Sequence, residues 1–245
     1  MKVRSISWLK ITVHTAAILP IVILTLAYWA GSLGVDPVQV FTRRTGDTAI
    51  ILLLCSLAAT PANTIFGIRQ AVKVRRALGL YAFLYAVIHF LTFTGLDYEF
   101  DLSLLLPELI QKRYIYIGLT ALLILSALAF TSFRYWMVRL GKNWKRLHRL
   151  VYLAVILVFL HFTWAKKGNL FTLQGEVFWP LVALLIITLL LVVRIPAVRK
   201  RISNTRHRLS GQLARIRAAL HNPEQKPYPQ DQVDMPGDMA KSSDL

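Results

Sequence analysis

The sequence predicts an all-α integral membrane protein: a six-transmembrane-helix bundle with both termini cytoplasmic, then a cytoplasmic amphipathic helix and a disordered tail. Three observations carry this. Of 245 residues, 56% are apolar and 17% charged, with a mean hydropathy of +0.51, too apolar for a disordered or ordinary soluble chain. Six stretches reach or approach the roughly 20 apolar residues that cross a hydrocarbon core. The 29 Lys and Arg outnumber the 12 Asp and Glu, for a net charge of +17. Most of those basic residues fall on one side of the predicted spans, which points to a membrane surface and not to nucleic acid.

The spans are predicted at residues 11–33, 48–66, 78–96, 114–133, 150–165 and 177–195. The fifth is short, with Trp164 at its interfacial end. Pro20 and Pro61 fall within or near the ends of spans, where a helix in lipid tolerates them. The first stretch reads as a span and not a signal peptide, because it is too long and no small-x-small cleavage site follows. Orientation comes from the N-terminal Lys2, Arg4 and Lys10, the second–third connection (Arg69, Lys73, Arg75, Arg76), the fourth–fifth connection (Arg134 to Arg149) and the segment from Arg194 to Arg217. Together these hold 21 of the 29 basic residues, so this side is read as cytoplasmic.

Three domains follow: 1–196, a six-helix transmembrane domain; 197–221, the basic amphipathic cytoplasmic helix; and 222–245, the disordered tail. In the second, Ile202, Leu209, Leu213, Ile216 and Leu220 recur at helical spacing among arginines, the pattern of a helix lying on an anionic leaflet. In the third, four prolines mix with acids and Ser, as in disordered chains. The stretch 102–110, apolar but short and containing Pro107, reads as an interfacial piece on the outer face. No sequence repeat is evident. The single cysteine, Cys55, excludes a disulfide framework, a thiolate metal cage and a CxxCH haem attachment; it is expected to pack as a small apolar residue.

Histidine within a span is a functional candidate. His89 and His161 each lie eleven residues beyond the start of their apolar stretch, at Leu78 and Leu150, so both sit at about the same depth, roughly 16 Å in, towards the outer face. Their helical neighbours are small or aromatic: Ala82, Tyr85, Ala86 and Phe93 around one, Ala154, Leu157, Val158, Trp164 and Ala165 around the other. Two imidazoles meeting from facing helices form an axial pair for haem iron; the plainer alternative is two interhelical hydrogen bonds. His148 precedes His161 by 13 residues, which puts them about 140° and about 20 Å apart on a straight helix, too far to serve one iron. A partner for His148 on the third span would stand near Arg75 or Arg76, where there is no histidine. One bis-histidine haem is therefore expected, unless His14 supplies another ligand. His148, Arg75 and Arg76 could instead hold an anionic cofactor such as a flavin phosphate, or the arginines simply set topology. His207 and His221 read as solvated basic residues.

At these residues the sequence resembles the MsrQ (YedZ) family, the haem-binding membrane subunit of the periplasmic methionine sulfoxide reductase system, within the ferric-reductase-like transmembrane superfamily. GLYAFLYAVIHF around His89 and LGKNWKRLHRLVYLAVILVFLHFTW, with His148 and His161, carry the likeness. WLKITVHTAAILP, GVDPVQVFTRRTGDTA, ATPA and SALAFTS extend it over residues 8–195. The resemblance implies haem b and a bound FMN. It implies electron relay from the quinone pool or a cytoplasmic flavin reductase to a periplasmic molybdopterin-containing methionine sulfoxide reductase. Repair of oxidised periplasmic proteins would follow, from a multi-pass protein of the bacterial inner membrane that transfers electrons and is not the catalytic subunit. Motif by motif, the family's histidines fall on His89, His148 and His161. Which two ligate iron does not follow from the likeness; the depth argument favours His89 with His161, leaving His148 as an alternative ligand. Superfamily oxidases carry two histidine pairs and a fused flavin–nicotinamide domain, for which the residues after Ile195 are too few. The alternatives are a self-sufficient quinol or ferric reductase, and a histidine-lined metal transporter, which would be expected to place carboxylates or broken helices at mid-membrane.

Overall fold

The computed structural model describes residues 8–166 and 177–221, and among these every regular element is helical. Helix α1 (Trp8–Trp29) carries Pro20, which cannot donate and which crowds the preceding turn. The Tyr85 hydroxyl enters the ladder there: it accepts from Ile21 N at 3.0 Å and donates to Ala17 O at 2.7 Å. These two groups would otherwise bond each other, so the side chain replaces the helical bond that the proline disrupts.

Helix α2 (Pro37–Phe66) starts eleven residues before the predicted span, because Asp36 caps it through Gln39 N at 2.9 Å and Pro37 opens it. It ends at Gly67, whose φ of 75° is the left-handed conformation a helix C-terminus favours. Only Gly67 and Ile68 separate it from α3 (Arg69–Leu91), which also begins well before its apolar stretch and passes into a π-helical turn, Thr92–Asp97. The outer segment forms a short helix, α4 (Leu102–Gln111), capped by Asp101. Then come α5 (Arg113–Phe130), two short basic helices α6 (Arg134–Leu140) and α7 (Lys142–Leu147), and α8 (Leu150–Ala165). Helices α9 (Phe178–Val192) and α10 (Pro196–His221) follow. Among the described residues five helices are long and apolar enough to cross a membrane, and the short α9, counted with the start of α10, makes a sixth candidate.

The closest pairings are α2 with α3 and α5 with α8; α1 and α9 pack around them. Ala17, Leu53, Ala82, Tyr85, Ala154 and Val155 form the centre of the core. The exterior is apolar too. Ile23, Leu26, Ile51, Leu123, Leu185 and Leu189 are each more than half exposed, a surface suited to lipid and a liability in water. Cys55 is also exposed. It lies on the outward, apolar face of α2, because Leu53, Ser56 and Leu57 occupy the inward positions.

Cross-links gather one end of the bundle. Ser56 Oγ donates to Arg75 O at 2.9 Å, Trp144 Nε1 to Thr131 O at 2.8 Å, and Arg194 to Leu57 O and Tyr152 Oη. The end of α2, the start of α3, the end of α5, the start of α8 and the end of α9 therefore share this end, which carries most of the arginines. The chain divides into two units between Ile202 and Ser203, so α10 begins in the bundle unit and continues in the second. The predicted disordered tail lies outside the described residues.

Candidate functional site

At the opposite end, His89 occupies the last turn of α3 and His161 lies four residues before the end of α8. Their half-buried rings face each other with centroids 6.1 Å apart and planes at 81°. Each ring is tied to a neighbouring helix: His89 Nδ1 lies 2.8 Å from Thr42 O in α2, and His161 Nδ1 lies 2.8 Å from Tyr114 O in α5. A carbonyl only accepts, so Nδ1 carries the proton in both. Nε2 is then left with its lone pair, the form in which a neutral imidazole ligates a metal. The Tyr114 ring also stands 5.8 Å from that of His161.

Two glycines make this approach possible. A Cβ on Gly46 would come within 3.0 Å of His89 Nδ1, and one on Gly118 within 2.6 Å of His161 Nδ1. Both rings thus lie against bare backbone. Sequence reasoning missed these glycines and both carbonyl anchors, although a signal existed. Thr42, Gly46 and His89 recur as Tyr114, Gly118 and His161 at a constant offset of 72 residues, as do Thr48 and Thr120, Ala82 and Ala154, and Phe90 and Phe162. The expectation of no repeat is corrected: the α2–α3 and α5–α8 pairs are two copies of one histidine-holding device, their side chains having diverged more than their spacing.

The remaining sequence-selected residues lie elsewhere. Ala82, Tyr85 and Ala154 are buried in the core, where small residues allow close helix approach, and so do not line an open face beside the histidines. Trp164 is exposed. His14 bonds Tyr81 Oη through Nδ1 at 2.8 Å. His148 stands at the α7–α8 junction at the basic end, its ring on Trp144 at 4.1 Å between centroids. Its Nε2 is 3.3 Å from Thr131 Oγ1, whose own proton goes to Ala127 O at 2.6 Å. His148 therefore donates through Nε2, the reverse of the other two. Arg75 reaches Thr60 Oγ1 at 3.5 Å, whereas Arg76 lies over the Phe133 ring at 5.9 Å. Successive residues on a helix point about 100° apart, so the two arginines serve different neighbours. The structure brings His89 and His161 together; it does not bring His148 to them.

Paired helices, each holding a span histidine against its neighbour's backbone, make a helical membrane bundle, and a family match puts it in the ferric-reductase-like class. The family described as "Ferric reductase like transmembrane component" matches residues 45–159, a range that takes in Gly46, His89, Gly118 and His148. The Rhodospirillum rubrum protein named "Protein-methionine-sulfoxide reductase heme-binding subunit MsrQ" is 42% identical over 194 residues, covering 78% of this chain and 90% of that protein. The Xanthomonas axonopodis pv. citri protein of the same name is 40% identical over 167 residues, covering 66% and 77%. The chain belongs to the MsrQ family.

Proposed function

We propose that this chain is the haem-binding, electron-relaying membrane subunit of a methionine sulfoxide reductase system, in which His89 and His161 would hold one haem b. The observation that carries this reading is the facing pair of imidazoles with both Nδ1 atoms engaged by carbonyls. The two rings stand 6.1 Å apart between centroids, so both would be near enough to hold one metal-bearing group between them. The donor set fits as well: neutral nitrogens with no carboxylate between them, each ring oriented and made more basic by its carbonyl bond. Held by these two histidines, a haem would supply one-electron transfer.

The chain's own residues do the positioning. Thr42 and Tyr114 fix the tautomers, Gly46 and Gly118 admit the rings, and the π-helical turn that begins at Thr92, three residues past His89, re-aims the chain leaving the site. With the arginine-rich end cytoplasmic, the pair lies towards the periplasmic face of the bacterial inner membrane. Electrons then enter from a quinol or a cytoplasmic flavin reductase, and leave to a periplasmic molybdopterin-containing methionine sulfoxide reductase that repairs oxidised proteins. FMN, implied by family resemblance, belongs at the basic end near Arg75, Arg76 and His148. Helix α10 lies along the cytoplasmic leaflet, and this chain transfers electrons without acting on substrate itself.

The test is the visible spectrum of the purified full chain. His89→Ala and His161→Ala should each abolish the reduced-haem band; an unchanged spectrum in either variant removes that residue from the ligand set. Faster re-oxidation of the reduced protein by the periplasmic reductase than by ferric chelates identifies the acceptor, and the opposite order favours a self-sufficient reductase.

A further inference from the structure

At the basic end a cavity of about 240 Å³ opens between α2, α3, α8, the α9–α10 connection and the start of α10. Thr60, Thr64, Arg75, Tyr152, Arg194 and Arg199 line it, and no carboxylate among the described residues does. Three guanidiniums, each charged at any physiological pH, thus share one small space without an anion.

Their donors are only partly used. Arg194 donates to Tyr152 Oη at 2.8 Å and to Leu57 O at 2.5 Å, but its Nε is buried with no hydrogen-bond partner. Arg75 gives one donor to Thr60 Oγ1, of the five that a guanidinium carries. Tyr152 Oη accepts from Arg194 and keeps its own proton to donate. A buried donor left unpaired is costly, and a tetrahedral oxyanion meets this set best, since guanidinium forks match phosphate geometry. Size narrows the ligand. The volume lies below the roughly 300–1,000 Å³ of sites that enclose drug-sized molecules, so it takes a phosphate and a few attached atoms, with no room for a ring system.

We propose that this cavity binds a phosphate group, either the headgroup phosphate of an anionic phospholipid or that of a soluble phosphate ester, through Arg75, Arg194 and Arg199 with Tyr152 as a neutral donor. Basic pockets between membrane helices suit the first source; the second would be a nucleotide whose ring lies outside the cavity. No residue is shared with the histidine pair, so the proposal stands or falls independently of the haem assignment; Arg75 is shared with the FMN reading, so the soluble-ester source rests on that reading, and binding of lipid or of inorganic phosphate without FMN tells the two apart.

The experiment uses the full chain, delipidated in detergent, with Arg194→Lys and Arg199→Gln beside the unaltered protein and haem absorbance as the control for folding. Dioleoylphosphatidylglycerol binding is followed by native mass spectrometry, and FMN and inorganic phosphate binding by calorimetry. We expect one arm to show saturable binding that each substitution weakens roughly tenfold, the loss of about one charge-assisted contact, with haem content unchanged. Lipid binding alone assigns a headgroup site; binding of FMN or phosphate assigns a soluble ester. Arg199→Gln, at an exposed position, keeps the test informative if Arg194→Lys disturbs the Leu57 and Tyr152 bonds. No binding of any probe, or equal binding by both variants and the unaltered protein, overturns the proposal.

Discussion

His89 and His161, 72 residues apart in sequence, are held in the same way: each Nδ1 lies 2.8 Å from a backbone carbonyl 47 residues earlier in the chain, and each ring rests on a glycine one helical turn beyond that carbonyl. The two sites differ in how tightly the glycine is pressed. A methyl group at 118 would sit 2.6 Å from His161 Nδ1, and one at 46 would sit 3.0 Å from His89 Nδ1. Gly118→Ala must push His161 away or part α5 from α8. Such overpacking costs about 1–3 kcal/mol, and we expect a clear fall in haem per chain. Gly46→Ala should lose less. Haem content of the two variants, measured on equal amounts of folded protein, checks the order; a larger loss at 46 would show that ring contact with the glycines does not govern binding.

His148→Ala is expected to keep most of the haem. Its Nε2 already donates to Thr131, and its ring stacks on Trp144 at the basic end, so its removal should loosen the α7–α8 junction by about 1 kcal/mol, the worth of an ordinary hydrogen bond. A melting temperature a few degrees lower with an intact Soret band is the expected result. Complete loss of the band would transfer the ligand role to His148.

How far the sequence could be read differs from element to element. Hydropathy located the spans because lipid demands apolar side chains, but it marks the edge of the hydrocarbon and not the end of a helix. Helix α2 therefore runs back through Asp47, Arg44 and Arg43 to Pro37, and α3 back to Arg69. Equal depth paired His89 with His161 correctly in space. Their anchors were illegible for a physical reason: Thr42 and Tyr114 contribute backbone carbonyls, and any residue has one. The glycines were legible only through the 72-residue offset, which is visible when the two histidine-bearing segments are laid over each other. Arg194 was read as a topology determinant, and nothing in its neighbours' identity foretold that it would reach Leu57 and Tyr152.

Tyr85→Phe deletes the hydroxyl that bridges Ile21 N and Ala17 O beside Pro20. Both backbone groups then lose their partner in a setting without water, at a cost of about 1–3 kcal/mol. In a Pro20→Ala background the helix can close its own Ile21–Ala17 bond, so Tyr85→Phe should cost much less there. A double-mutant cycle on thermal stability measures the difference; equal costs in both backgrounds would mean that the hydroxyl does not stand in for the helical bond.

Asp101 gives a pH-dependent prediction at the opposite end of the bundle. Its carboxylate caps α4 by accepting from Ser103 N at 2.7 Å, and hydrogen bonds from Ser103 hold its pKa below the usual carboxylate value. Because the folded value is the lower one, the cap contributes fully above the ordinary carboxylate range and is lost as pH falls through the depressed value. Amide hydrogen exchange at the start of α4 should therefore be slow at neutral pH, after correction for the intrinsic rate, and lose protection in acid. Asp101→Asn, whose side-chain oxygen still accepts, should keep protection and remove its dependence on pH, whereas Asp101→Ala should lose protection at every pH. If the asparagine variant kept the acid dependence, another group would be responsible for it.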